Sequence, residues 1–181
     1  MHDLGRNEDR LRGTYEFPFE FHHIDSTHPR YVMSYHWHVE CEIMRILQGT
    51  LTVTLDEKSF TAKAGDVIFV NSGVLHSGIP HDCIYQCIVF DMNMFLKFNS
   101  VCTEYMQKIS HQELLIYHHF TEKHPDIQRS VNSLFDSFWQ KKPGYELVVF
   151  GQFYHFFGLV FGNHYYLESL RKTRRDYKRI V

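Results

Sequence analysis

The 181-residue chain is short of several things, and each shortage removes a class of function. Its first thirteen residues, "MHDLGRNEDRLRG", mix both charge signs and hold no apolar core segment, so no secretory leader is read there and cytoplasmic residence is the expectation. The longest apolar run, Leu147 to Phe161, is 15 residues interrupted by Gln152 and His155, short of the roughly 20 that a bilayer requires, so no membrane partner is expected. Cysteines number only four, Cys41, Cys83, Cys87 and Cys102. Cys83 and Cys87 on one extended strand would lie about 13 Å apart, beyond disulfide reach, and all four are read as reduced, mostly buried thiols. Basic charge is scarce as well, outside one stretch. Of 19 Lys and Arg, six fall in "RKTRRDYKR" at 171–179 with one acid, which leaves 13 basic against 20 acidic residues elsewhere, a net of −7. Such a body is a poor nucleic-acid surface, because polyanion binding rests on cations that neutralise phosphates.

Two things are in excess, namely aromatic residues at 16% and histidines, of which there are 14. From Tyr15 to Asp91 the pattern is that of strands. "TYEFPFEF" alternates Tyr15, Phe17, Phe19 and Phe21, and "TLTVTLD" alternates Leu51, Val53 and Leu55 with threonines. "VIFV" (67–70) and "CIYQCIVF" (83–90) are apolar at nearly every position, as in strands covered on both faces. Turn chemistry separates them at Gly49, at 56–59, at Ala64-Gly65-Asp66, at Asn71-Ser72-Gly73 and at Pro80. Short strands so spaced predict a closed or sandwiched antiparallel β structure.

After Asp91 the period lengthens. In 126–140 the residues Ile127, Val131, Leu134, Phe135 and Phe138 share one side of a helix introduced by Pro125 and ended by "KPG" at 142–144. A second helix is predicted over 145–167, with Leu147, Phe150, Tyr154, Phe157 and Phe161 on one side and Val149, Phe153, Phe156 and Val160 on the other. A helix apolar on two sides needs two partners; the second is either a dimer seam or deeper burial within the chain. Residues 93–124 stay open, since Ser110-x-x-Glu113 has the form of a capping box while "LLIYHHF" also reads as a strand.

The chemistry concentrates in "HWHVECEIMRILQG" (36–49). His36 and His38 share a strand face, and so does Glu42, but a straight strand would carry Glu42 about 20 Å from His36, too far to share an ion whose bonds are about 2.0 to 2.3 Å. A turn at Val39–Cys41 brings the three together if the strand Glu42–Gln48 runs beside the histidine strand, with Gly49 closing the next hairpin. His76 supplies a fourth donor, and Glu40 is a reserve ligand or a solvated loop carboxylate. Met44 and Ile46 share the parity of Glu42 and are expected on the ligand-binding wall. Either the four donors hold one ion or they form a polar pocket. Three imidazoles and a carboxylate suit a divalent transition metal: Zn, Mn, Fe, Ni or Cu.

His36-x-His38-x3-Glu42-x6-Gly49 and Gly65-x5-Asn71-x-Gly73-x2-His76 resemble the two motifs of cupins over about residues 15–91. The resemblance implies a double-stranded β-helix (jelly-roll) barrel in which His36, His38, Glu42 and His76 hold one divalent ion. Arg30, Asn71 and Pro80 depart from the usual glycine, proline and asparagine at turns. The exit "FDMNMF" (90–95) and the "KKPGYEL" link (141–147) further resemble the N-terminal half of AraC-type transcription regulators. That resemblance implies an effector-binding barrel, a homodimer through the helix 145–167, and DNA binding by a separate C-terminal helix-turn-helix domain that this chain does not contain. The organisation expected is therefore a mobile arm (1–13) with Tyr15–Phe21 closing over the pocket, a barrel (14–92), a helical dimerisation part (93–167) and a basic linker (168–181). The fold expected is mainly β, a cupin barrel followed by an antiparallel helix pair. The function expected is sensing a small molecule, not catalysis; a free-standing cupin metalloenzyme is the alternative.

Overall fold

A computed structural model describes residues 6–8, 11–97 and 100–169. Residues 1–5, 9–10, 98–99 and 170–181, and with them most of the expected linker, lie outside the described residues.

Alternating and doubly apolar stretches become strands as their patterns dictate. In order these are β1 (Arg6–Asn7), β2 (Phe19–Ile24), β3 (Met33–Trp37), β4 (Cys41–Leu55), β5 (Lys58–Lys63), β6 (Val67–Val70) and β7 (His76–Phe90). There follow a short 3₁₀ turn (Met92–Leu96), α1 (Thr103–Ser110), β8 (Leu114–Ile116), β9 (His119–Phe120), α2 (Pro125–Gln140), α3 (Tyr145–Gly162) and β10 (Tyr166–Glu168). The fold class is as expected, mainly β and antiparallel with a C-terminal helix pair.

Two fifteen-residue strands, β4 and β7, pair along their whole length and serve both layers of the barrel. Their halves Cys41–Ile46 and Tyr85–Phe90 join β2, β6 and β9; the halves Thr50–Leu55 and His76–His81 join β3 and β5. Between the layers lies one apolar cluster, including Met44, Ile46, Leu51, Val53, Ile68 and Tyr85. A second fills the gap between the first layer and the helices, with Ile43, Phe69, Ile88 and Phe90 packed on Phe135, Phe153 and Phe156. That explains why "VIFV" and "CIYQCIVF" show no alternation: one parity faces the barrel interior and the other the helices.

The bend between the two halves sits at Gly49, expected to close a hairpin. Instead it forms a bulge inside β4, where the register against β7 shifts on both sides of Gln48. Its φ is +66°, and a Cβ there would stand 2.2 Å from the Asp82 carbonyl oxygen. Gly49→Ala is therefore expected to destabilise the fold by about 1–3 kcal/mol, read as a lower unfolding midpoint, since side chains avoid this conformation and the backbone opposite has nowhere to move. Pro80, expected at a turn, lies within β7 opposite Leu51.

Other expectations are corrected by packing. Strand β2 begins at Phe19 rather than Tyr15, and its aromatic face turns toward the helices, with Phe19 stacked on Phe153 at 5.1 Å and Phe21 on Phe138 at 5.8 Å. Tyr15–Phe21 therefore does not cover a pocket. The polar start of the chain is docked where it is described: β1 runs parallel to β3, and Arg12 is buried. Ser110 ends α1 instead of capping a helix, while "LLIYHHF" supplies β8 and β9, and β9 extends the barrel sheet through β6. Helix α2 buries the five apolar residues expected of it and stops at Lys141, which adopts a left-handed conformation (φ 44°). Helix α3 ends at Gly162, not 167, because His164 (φ 57°) reverses the chain and β10 pairs with β8. Val149, Phe153, Phe156, Phe157 and Val160 are its buried side, whereas Leu147 is 80% exposed. All four cysteines are free. No helix among the described residues is long and apolar enough to cross a membrane.

Candidate metal centre

His36 ends up opposite His76 as a cross-strand pair of β3 and β7, and His38 follows directly after β3. The expected pairing of the histidine strand with Glu42–Gln48 does not occur, for β7 stands between β3 and β4. The chain still turns back at Val39–Glu40, pinned by Gly73 N–H donating to the His38 carbonyl (2.9 Å) and the Ser72 hydroxyl to the Val39 carbonyl (2.6 Å). Glu42 then enters β4 pointing inward, on the parity that buries Met44. The second turn is fixed from behind, where the buried Asn71 side chain exchanges two hydrogen bonds with the Ile116 backbone (2.8 and 3.0 Å). This is what an asparagine does at the place where a turn proline was expected.

The result brings His36, His38, Glu42 and His76 together, with one donor atom from each inside a group no wider than 4.8 Å. Each imidazole is oriented in the same way. His36 Nδ1 faces the Ser34 carbonyl at 2.8 Å, His38 Nδ1 the Glu40 carbonyl at 3.0 Å, and His76 Nδ1 the Val74 carbonyl at 2.8 Å. A carbonyl oxygen only accepts, so each Nδ1 donates its proton there and Nε2 is the ring atom turned toward the centre, free to bind an ion when it carries no proton. His38 Nε2 and His76 Nε2 are buried without a hydrogen-bond partner. They stand 3.4 and 3.3 Å from the same Glu42 oxygen, longer than the 2.7–2.9 Å usual for a charge-assisted bond. Lone pairs facing a carboxylate repel unless a proton or a metal cation lies between them. Three imidazoles locked by outer hydrogen bonds, with a carboxylate, form a donor set that a divalent transition metal fits.

The electrostatics show that the centre favours positive charge between its rings and the carboxylate, which a proton supplies in the ion-free chain. Burial works against ionising Glu42, yet the contacts and charges of His38 and His76 outweigh it and hold the carboxyl well below its ordinary range. Burial likewise works against charging His76, but Glu42 overrides it and raises that imidazole, while His36 is lowered by burial and by the neighbouring His76. Burial lifts the Cys87 thiol well above its usual value, and Glu42 adds to this.

A cavity of about 260 Å³ opens beside the four donors. His36, His38 and Glu42 form one wall; His22 and Ile24 of β2 and Tyr85 and Cys87 of β7 form another. Glu8, Arg12 and Arg30 stand at its edge, joined by Arg30–Glu8 (3.3 Å) and Arg12–Glu8 (3.2 Å) ion pairs. Met44 and Ile46, expected on this wall, are not part of it. They occupy the same cross-strand rows as Cys87 and Tyr85 but one strand deeper, in the apolar interior. Glu40 lies behind His38, its carboxylate 3.8 Å from Nδ1 and 3.9 Å from Arg12 Nε, outside the donor group. The β7 wall residues were missed because that strand is apolar on both faces and gives no phase, and His22 and Ile24 of β2 because the alternation read there ends at Phe21; Glu8 and Arg12 were missed because their segment has no periodicity at all.

Residues 18–157 match the family model described as the AraC-like ligand binding domain. A 56-residue stretch, 29% of the chain, is 36% identical to the uncharacterized HTH-type transcriptional regulator YdeC of Bacillus subtilis (strain 168) and covers only 19% of that protein. Among solved structures, a mutant of Bacillus subtilis oxalate decarboxylase is 25% identical over 33% of this chain and 18% of that one, with a TM-score of 0.30. A second structure of that enzyme, studied for its Mn(II) centres, overlaps to the same extent with a TM-score of 0.31.

Proposed function

Because the chain belongs to the family of AraC-like ligand-binding domains, we propose that it is the effector-sensing and dimerisation part of a transcription regulator. In this reading His36, His38, Glu42 and His76 hold one divalent ion, and the adjoining cavity takes a small molecule. The observation that carries it is the convergence of three fixed Nε2 lone pairs on one buried carboxylate. An ion held by four protein donors and preferring five or six ligands keeps a position for an oxygen of the effector. An effector that fits one barrel arrangement better than another shifts the dimer by no more than that difference in affinity. DNA contact falls to a part of the regulator outside this acidic body. Elemental analysis of the purified chain tests the reading: one Zn, Mn, Fe, Ni or Cu per chain is expected, and a chain that takes up none after dialysis against each ion sinks it.

The second copy is proposed to sit on the outer side of α3. Leu147, Val148 and Tyr154 are exposed there, and nothing lies within 4 Å of a Cβ built on Gly151 or Gly158, so another backbone has room to approach. Leu147→Glu places a charge in that seam and is expected to weaken self-association by roughly tenfold or more, measured by sedimentation at dilute concentration. An unchanged chain that sediments as a monomer at micromolar concentration removes the dimer from the proposal.

A further inference from the structure

The interface between the barrel and its helices is mainly apolar, and polar contacts cross it at its edges: Gln128 of α2 donates to the Gly65 carbonyl in the turn before β6 (2.7 Å), and Arg45 reaches α2 from within the sheet. Arg45 of β4 is 8% exposed and sits on the helix side of the strand whose other parity carries Glu42. Its Nε donates to Gln86 Oε1 (2.8 Å), its Nη1 to the Asn132 carbonyl and Oδ1 (3.3 and 3.1 Å), and its Nη2 to Asp136 Oδ1 (2.9 Å). The guanidinium also lies over the Phe135 ring, 5.1 Å from its centroid. Gln86 in turn joins its Nε2 to His23 Nδ1 (2.9 Å), and the His23 ring lies 5.0 Å from that of Trp139, near the end of α2.

His23, Gln86 and Arg45 are register partners across β2, β7 and β4 and form one continuous cross-strand row. The rows on either side of it are His22–Cys87–Met44 and Ile24–Tyr85–Ile46, which face inward. Four of those six residues, His22, Ile24, Tyr85 and Cys87, are walls of the cavity beside the metal donors. On β2 and β7 the residues flanking the tie thus stand in the cavity wall, while on β4 those flanking Arg45, Met44 and Ile46, pack in the apolar interior behind that wall. Apolar contacts are not directional, whereas hydrogen bonds weaken steeply once bent or stretched, so they fix the direction in which one layer moves with the next. A displacement of the wall is therefore resisted, or transmitted, at this row before it is felt elsewhere in the interface.

We propose that the His23–Gln86–Arg45 row is the tie through which occupancy of the metal centre is read at α2, ending on Trp139. The inference rests on the metal-binding reading and adds its route to the helices. It is tested with the chain's own fluorophore. There are two tryptophans, Trp37 and Trp139, so Trp37→Phe leaves Trp139 alone. Zn²⁺ is the probe, since its filled d shell has no redox chemistry of its own to quench emission. One equivalent of Zn²⁺ is expected to change Trp139 emission along the same curve as Zn²⁺ uptake, with no change in a His76→Ala chain. Arg45→Met is expected to take up one Zn²⁺ while keeping less than about a third of the emission change, and, because coupling is reciprocal, to bind it with an affinity altered about fivefold or more. Asp136→Asn, at a half-exposed position on α2, loses part of the signal and decides the matter alone if Arg45→Met does not fold. Zn²⁺ uptake with silent Trp139, or a signal undiminished in both variants, overturns the tie and leaves the metal centre standing. No uptake at all overturns the metal reading and the tie with it.

Discussion

His76→Ala is expected to lower the affinity of the chain for a divalent ion by roughly a hundredfold or more. Loss of even an outer hydrogen-bonding partner of a metal ligand typically weakens binding about 10- to 100-fold, and here a donor itself is removed. His76 is fully buried, is paired in register with His36, and shares one Glu42 oxygen with His38, so no exposed side chain is positioned to replace it. A competition titration against a coloured chelator reads the change, and thermal unfolding reads its consequence. An ion at a hundred times its dissociation constant stabilises the native chain by about 2.7 kcal/mol, an increment that should vanish in the variant. Unaltered uptake by His76→Ala would exclude the proposed centre.

The same geometry gives the binding a pH dependence of definite sign. Without an ion, Glu42 raises the His76 imidazole, so this contact contributes fully below the ordinary histidine value of 6.5 and is lost as pH rises through the raised folded value. The depressed Glu42 carboxyl works in the opposite window, contributing above the ordinary carboxyl value and losing its share as pH falls through the lowered one. An ion bound there would replace the proton between them, so uptake, read by competition titration at several pH values, is expected to release protons and to strengthen as pH rises from 6 to 8.

Donor identity and local parity were legible because both are written within a few neighbouring residues: His36, His38 and Glu42 within seven, and His76 three residues after a glycine turn. The partner of the histidine strand was not. Whether β3 lies against β4 or β7 depends on segments some 40 residues apart, and nothing local distinguishes them. Depth was illegible for a related reason. Met44 and Ile46 have the parity of Glu42, but parity names a face and says nothing about how far from the mouth a residue stands. The bulge at Gly49 and the extended Pro80 show the reverse problem, in which turn-type residues serve a bend inside two long strands. Helix α2 was read correctly because a single apolar side fixes its phase, whereas the nearly continuous apolar run of α3 and the tyrosines after it hide where the helix stops.

The segment that carried least signal is expected to give the largest stability effect. Arg12 lies in a stretch without periodicity, yet its side chain is 3% exposed and its guanidinium faces three carboxylates: Glu20 at 2.9 Å, Glu8 at 3.2 Å and Glu40 at 3.9 Å. Arg12→Met keeps most of the stem's packing and removes the charge, leaving those acids to repel one another beside the cavity. Breaking a buried pair from one side costs about 3–5 kcal/mol, which for a chain of this size lowers the unfolding midpoint by on the order of 10 °C. Burial opposes the ionisation of Glu8, but the Arg12 hydrogen bond, with the charges of His36, Arg30 and Arg12, holds its carboxyl below the ordinary value. That contribution is present above the ordinary carboxyl range and is lost as pH falls through the depressed value, so the gap between Arg12→Met and the unchanged chain should be widest near pH 7 and narrow toward pH 4. A gap that stays constant over this range would mean that Arg12 acts through its stem alone. A gap that closes with acid identifies a charge clamp that holds the N-terminal segment beside β3, the strand that carries His36.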